Sequence, residues 1–173
     1  MVRRILLAAA AVLATGALAL PAMAVAPPKA DVPSFDQLKT PLPYPYDETA
    51  NADAQVAKAR AKAKASGKLL LIDLGGNWCP DCRILAGTVE LPAIKAFVDK
   101  HYEVVSVDVG RFNHNLQVPA RYGYTQRLKG VPTVLVVDPK TDKVINGDDV
   151  FALSDARSMS PQALADWLAR WPK

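Results

Sequence analysis

Cys79 and Cys82, the two cysteines of a 173-residue chain, sit three positions apart. They stand just after an apolar run, Leu69 to Leu74, has been broken by Gly75-Gly76. No other feature limits the possible folds so sharply. Two cysteines cannot hold a disulfide-dense scaffold. Nor can they make a cysteine-rich zinc fold, because structural zinc takes four ligands. The length fits one domain. A net charge of +4 is too small to propose a nucleic-acid binder on electrostatics.

Residues 1–24 read as a secretory signal peptide. Met1-Val2-Arg3-Arg4 is a basic leader, Ile5 to Leu20 is apolar, and Ala22-Met23-Ala24 is a small-x-small cleavage site. Cleavage after Ala24 avoids placing Pro27 first, as a cut after Ala26 would do. The competing reading is an uncleaved N-terminal membrane anchor, since no charge occurs between Ile5 and Pro28. A short apolar segment ending at a proline favours cleavage. The leader carries Arg3 and Arg4, so half of the +4 belongs to it.

The remaining chain divides into an arm, residues 25–49, and a domain, residues 50–173. Pro27, Pro28, Pro33, Pro41, Pro43 and Pro45 exclude a helix or central strand in the arm. It is expected to run extended, as a linker or wrapped on the domain. Tyr44 and Tyr46 are the residues that could dock it. Asn51 to Ala65 is rich in alanine and lysine and reads as a helix with Asn51 as N-cap and Gly67 as its stop. Its lysines form a basic face of the solvated kind. Leu69 to Leu74 is a strand covered on both faces. A helix runs from the cysteines toward Leu85, and a second from Pro92 to near His101. Tyr102 to Val109 is a strand. Gly110 to Gly130 is a loop with a short helix near Pro119 to Tyr122. Thr133 to Val137 is a strand, and Lys143 to Asn146 returns antiparallel to it. Ser160-Pro161 caps a last helix. These elements imply an α/β domain with a helix-covered mixed sheet.

Four chemistries compete for the cysteine pair. A structural disulfide closing so short a loop stabilises by only about 2 kcal/mol, which makes it a poor lone staple. A metal site would need His101 and His114, which lie too far apart for a zinc-finger spacing. Haem attachment needs histidine directly after the second cysteine, where Arg83 stands. Reversible redox chemistry fits best. Attack on a disulfide needs a thiolate, and a helix N-terminus stabilises one. Cys82, one turn along, can then release the product. Cys79 is therefore the expected nucleophile and Cys82 the resolving thiol. Asp73, set among Leu71, Ile72 and Leu74, reads as a buried carboxylate of raised pKa that could exchange protons with Cys82. Val131-Pro132-Thr133 is a proline at a strand start. Beside a redox pair that proline is a candidate for a cis bond, with the Val131 backbone offered to an extended substrate.

Leu70-Leu71-Ile72-Asp73, Trp78-Cys79-x-x-Cys82 and Gly130-Val131-Pro132-Thr133, in that order, resemble the three markers of the thioredoxin family. The similarity spans roughly Ala50 to Trp171. It implies a thioredoxin-like fold, a central mixed β-sheet with helices on both faces. It also implies thiol–disulfide exchange by Cys79 and Cys82, with Pro132 as the cis-proline. Trp78, Pro80, Asp81, Val131 and Pro132 are the expected substrate contacts. The chain departs from the best-known thioredoxins in its Pro80-Asp81 dipeptide, which is similar to the Cys-Pro-Asp-Cys centre of thioredoxin-related proteins. It is longer between Cys82 and Pro132, around Arg111–Asn115 and Tyr124–Lys129. Ser106 stands where the family places a lysine near the buried aspartate.

The export signal points to the periplasmic branch of such proteins. Asp81 places a negative charge beside Cys79, which should raise the thiolate's pKa, with Arg83 as a partial offset. A less stabilised thiolate makes a more reducing couple, so a reductase of protein or small-molecule disulfides is expected. Working as a monomer in an oxidising space, it would need a membrane-bound electron donor, but no cofactor, metal or nucleic acid. The alternatives are a disulfide oxidase or isomerase, or a non-enzymatic partner-binding or Cu(I)-handling module. His114, Asp108 and Arg111 read as polar loop residues, and Asp148 and Asp149 as a surface turn.

Overall fold

The computed structural model describes residues 25–173. The signal-peptide reading, with its cleavage site at Ala22–Ala24, lies outside the described residues. Helix α1 spans Ala52–Ser66, β1 Leu69–Gly75, α2 Pro80–Val89, α3 Pro92–His101 and β2 Tyr102–Asp108. Then follow α4 at Gln117–Arg121, β3 at Thr133–Asp138, β4 at Lys143–Val144 and α5 at Pro161–Ala169. The sheet order is β2-β1-β3-β4. β1 lies parallel to β2, from Leu69 opposite Tyr102 to Gly75 opposite Asp108, and antiparallel to β3.

Local chemistry sets most of the boundaries. The Asn51 side chain accepts the Ala54 N–H at 3.0 Å, and Gly67 ends α1 at φ 72°, in the left-handed region glycine tolerates. Prolines open α2, α3 and α5 at a position where the helix needs no N–H. α2 runs past Leu85 to Val89, since nothing before Leu91-Pro92 stops it.

Alternation along β1 divides the core in two. Leu70, Ile72 and Leu74 pack with Val56, Ala59 and Ala63 of α1, along with Val105, Val107 and Leu135. Leu71 joins Val134 and Val136 against Ile94 and Phe97 of α3 and Leu164, Trp167 and Leu168 of α5. β1 is thus covered on both faces, which explains its unbroken apolar character.

The proline-rich segment wraps the domain. Ala30 N–H donates to Gln162 Oε1 of α5 at 2.9 Å, and Gln162 Nε2 donates to the Pro28 carbonyl at 3.1 Å. Leu38 is buried, and a Cβ on Gly87 of α2 would stand 2.8 Å from Leu42 Cδ2. A larger residue there would push the Leu42 side chain of the arm aside. Arg83 donates to the Leu42 and Pro43 carbonyls at 2.9 and 3.3 Å, fixing the arm across α2.

β4 is shorter than the Lys143–Asn146 run anticipated. Ile145 N–H still reaches the Val136 carbonyl at 2.8 Å, but Asn146 then turns its side chain into the ladder. Its Oδ1 accepts the Val136 N–H at 2.8 Å and its Nδ2 donates to the Val134 carbonyl at 2.9 Å. A buried amide thus stands in for a strand. Asn146→Ala strands two buried backbone groups and should cost about 2 kcal/mol or more in urea unfolding, the penalty of buried unmet polar groups. Asn146→Asp keeps the acceptor, loses the donor, and should also destabilise.

Candidate active site

The site forms where β1 ends. Gly75 must be bare: a Cβ there would stand 2.7 Å from Cys82 Sγ and nearer still to the Tyr46 hydroxyl. A Cβ on Gly76 would stand 2.6 Å from Trp78 Nε1. The Gly-Gly break is therefore a packing requirement as well as a turn. It lets the chain reverse tightly so that α2 starts against the strand end.

Cys79 is the N-cap of α2, and its Sγ accepts the Cys82 N–H at 3.2 Å. The two cysteines are joined as a disulfide, with Cα atoms 5.3 Å apart. Cys79 keeps 3% of its surface and Cys82 none. Trp78 and Pro80, on either side of Cys79, are exposed. The Val131–Pro132 peptide bond is cis, and the Val131 carbonyl oxygen lies 3.4 Å from Cys79 Sγ. Cys79, Cys82, Trp78, Pro80, Val131 and Pro132 thus meet at one end of the sheet.

Asp73 is buried on β1, with Ser106 its register partner on β2. Tyr46, buried at the end of the arm, donates its hydroxyl to both carboxylate oxygens at 2.9 and 2.8 Å. Burial raises Asp73 to about 7, while the Tyr46 and Ser106 hydroxyls pull the other way. Burial and the facing Asp73 carboxylate push Tyr46 up, so its hydroxyl stays a donor. The same hydroxyl borders Cys82 across Gly75, which sets Asp73, Tyr46 and Cys82 around one small space. A cavity of about 370 Å³, lined by Leu71, Leu85, Val98 and Val134, also reaches Asp73 and Ser106. Tyr44, the other arm tyrosine, is exposed and lies under the Arg83 guanidinium at 4.0 Å.

Asp81 is turned inward and its charge is matched. Arg157 donates through its backbone N–H to Oδ1 at 2.9 Å and through Nε to both oxygens at 3.0 and 3.1 Å, with Nη2 completing the fork on Oδ2. Burial alone would raise this carboxyl, but the Arg157 hydrogen bonds and charge outweigh it and hold Asp81 below the usual carboxylate range. Arg157, not Arg83, is the offsetting cation. Arg83 lies two residues past Asp81, so the helix points it elsewhere, toward the arm.

The sequence reading missed Tyr46 as the partner of Asp73, Arg157 as the partner of Asp81, and the loop that seats Trp78. Trp78 Nε1 donates to the Gly110 carbonyl at 2.8 Å. Asp108, read as an ordinary loop residue, is buried and accepts the Gly110 N–H at 3.0 Å, with His114 Nδ1 at 3.3 Å. The one available signal was an aromatic pair, Tyr44 and Tyr46, in an otherwise proline-rich arm.

A helix-capping cysteine disulfide facing a carbonyl before a cis-proline is the site of a thiol–disulfide oxidoreductase on a mixed sheet. Residues 51–139 match the family described as thioredoxin-like. The crystal structure of a disulphide isomerase from Xylella fastidiosa Temecula1 is similar at TM-score 0.68 and 41% sequence identity, over 74% of this chain and 96% of that one. No curated protein matches the chain. The chain belongs to the thioredoxin-like family.

Asp73 makes stability depend on pH. Its folded pKa, about 7, lies above the value of an unfolded aspartate, near 4, so the folded state binds its proton more tightly. Its contribution is greatest below pH 4 and is lost as pH rises through 7, by roughly 4 kcal/mol in all. Oxidised Asp73→Asn should therefore gain on the wild type between pH 4 and 8 in chemical denaturation. A constant difference between the two would contradict a raised Asp73.

Proposed function

We propose that the protein works from its reduced form as an exported reductase of protein disulfides. The Cys79 thiolate attacks one sulfur of a client disulfide and forms a mixed disulfide. The displaced client thiolate takes up a proton. Cys82 then attacks Cys79 Sγ, the second client thiol leaves, and the protein is oxidised by two electrons. In this scheme Asp73, beside the Tyr46 hydroxyl that borders Cys82, takes the Cys82 proton as that thiol becomes nucleophilic.

The environment of Cys79 Sγ carries this reading. Its close polar contacts are one donor, the Cys82 N–H, and one acceptor, the Val131 carbonyl. The N–H and the helix dipole favour a thiolate, while the carbonyl opposes it. Asp81 and Arg157 form a closed pair, so neither acts on Cys79 as an isolated charge. Strong oxidants stabilise their thiolate far more than one amide can, and that stabilisation makes them oxidising. The leader sequence supports export, and export in turn requires a membrane-bound donor to restore the dithiol. The similar Xylella protein is described as a disulphide isomerase. Isomerisation begins from the same reduced thiolate, so the two activities share a starting state.

Cys79→Ser should abolish insulin reduction. Cys82→Ser should retain the first step and accumulate mixed disulfides that non-reducing gels of a periplasmic extract reveal. Recovery of none would contradict turnover on proteins. The reduction potential should lie nearer ~ −270 mV than ~ −120 mV. A glutathione titration giving a value above the midpoint of those two would make the protein an oxidant.

A further inference from the structure

Two stretches between Cys82 and Pro132 take no part in the chemistry above: Arg111–Asn115 and Tyr124–Lys129. The first reaches the cysteine pair through Trp78, which Arg111 covers, and the second joins it where Arg127 covers Phe112. The first is pinned in place. Asn115 Nδ2 donates to the Asp108 carbonyl at 2.8 Å, and the Arg111 N–H donates to Asn113 Oδ1 at 2.9 Å. Phe112 is held at φ 66°, a region that bulky residues rarely occupy. The loop holds a costly conformation at the edge of the site, and with it a fixed presentation of side chains.

Among the arginines of residues 25–173, Arg60, Arg121, Arg157 and Arg170 each meet a carboxylate. Arg83, Arg111 and Arg127 do not, among the described residues. Each instead lies over an aromatic ring, at 4.0 Å from the centroid of Tyr44, 4.6 Å from Trp78 and 4.3 Å from Phe112. Arg83 uses its donors on arm carbonyls. The guanidinium groups of Arg111 and Arg127 are exposed and have no acceptor among the described residues. Their rings meet edge to face, with centroids 6.1 Å apart. Lys129 continues the row over Phe151 at 5.6 Å, two residues before Val131. Asp148, beside Tyr124, is the carboxylate bordering its far end.

A guanidinium lying on a ring is restrained, yet the in-plane N–H fork stays free. Such forks donate to both oxygens of a carboxylate at once. The row flanks Cys79 through Trp78 and approaches the Val131 backbone through Lys129, the two sides between which a client strand would pass. We propose that this rim recognises acidic side chains beside the target disulfide of an extended client polypeptide. The inference rests on the oxidoreductase reading and supplies its substrate class.

The test uses two peptides with the same internal disulfide, one flanked by glutamates and one by lysines, and hydroxyethyl disulfide as a neutral substrate. Wild-type protein should reduce the acidic peptide with a kcat/KM about fivefold or more above the basic one at low salt, the size expected of two exposed ion pairs. The ratio should fall toward one as salt rises. The double variant Arg111→Glu with Arg127→Glu should invert the preference when each peptide rate is divided by the same protein's rate on hydroxyethyl disulfide, which cancels any change at the cysteines themselves. Equal turnover of the two peptides, or a preference that survives in the variant, would overturn the proposal and leave the oxidoreductase reading intact. Failure on all three substrates would overturn that reading instead. Fluorescence anisotropy of the same peptides on oxidised protein then decides the rim, and equal binding overturns it.

Discussion

The structure depends on a close approach at Gly75. The last residue of β1 leaves its Cα bare, and Cys82 Sγ and the Tyr46 hydroxyl both occupy space a side chain would take. Helix α2 can therefore start directly over the strand end, with Cys79 as its cap and Cys82 one turn below. The arm can bring Tyr46 onto Asp73 through the same gap. Any side chain at position 75 would separate the helix from the sheet and the arm from the carboxylate together.

Three buried polar groups then divide the work near the disulfide. Asp73 is shielded and raised, and so is suited to gain or lose a proton near neutral pH. Asp81 is shielded but matched by Arg157, so its charge fixes the helix start to the segment Ala156–Ser158 rather than acting on the cysteine. Asp108 is shielded by the loop it holds and gives Trp78 a fixed acceptor at Gly110. Carboxylates of one kind thus serve three ends, and their partners make the difference: a hydroxyl, a guanidinium, and one loop N–H beside an imidazole.

The legible part of the fold was the part written in neighbouring residues. Asn51 and Gly67 bound α1 through contacts within a few positions, and Pro92 and Ser160-Pro161 open their helices for equally local reasons. Cys79 and Cys82 were legible because their chemistry needs a one-turn spacing. The partners of the buried carboxylates were not. Tyr46 reaches Asp73 across 27 positions and Arg157 reaches Asp81 across 76. A single polar contact over that distance leaves no period in the sequence, whereas burial of a whole strand does. Arg83 seemed the natural partner of Asp81 because it is near in sequence, but on a helix two residues apart means different faces. The run Lys143 to Asn146 does not reveal that Asn146 continues the ladder with its side chain and not its backbone.

The central claim is that Cys79 is a moderately activated nucleophile and Cys82 its shielded partner. Limited alkylation of the reduced protein with iodoacetamide across pH, located by peptide mass spectrometry, tests it most directly. Cys79 should take the label first, with a rate midpoint below the ~8.5 of a free thiol but well above the ~3.5 of the strongest oxidants. Labelling of Cys82 first, or a Cys79 rate that stays flat down to pH 4, would contradict the account.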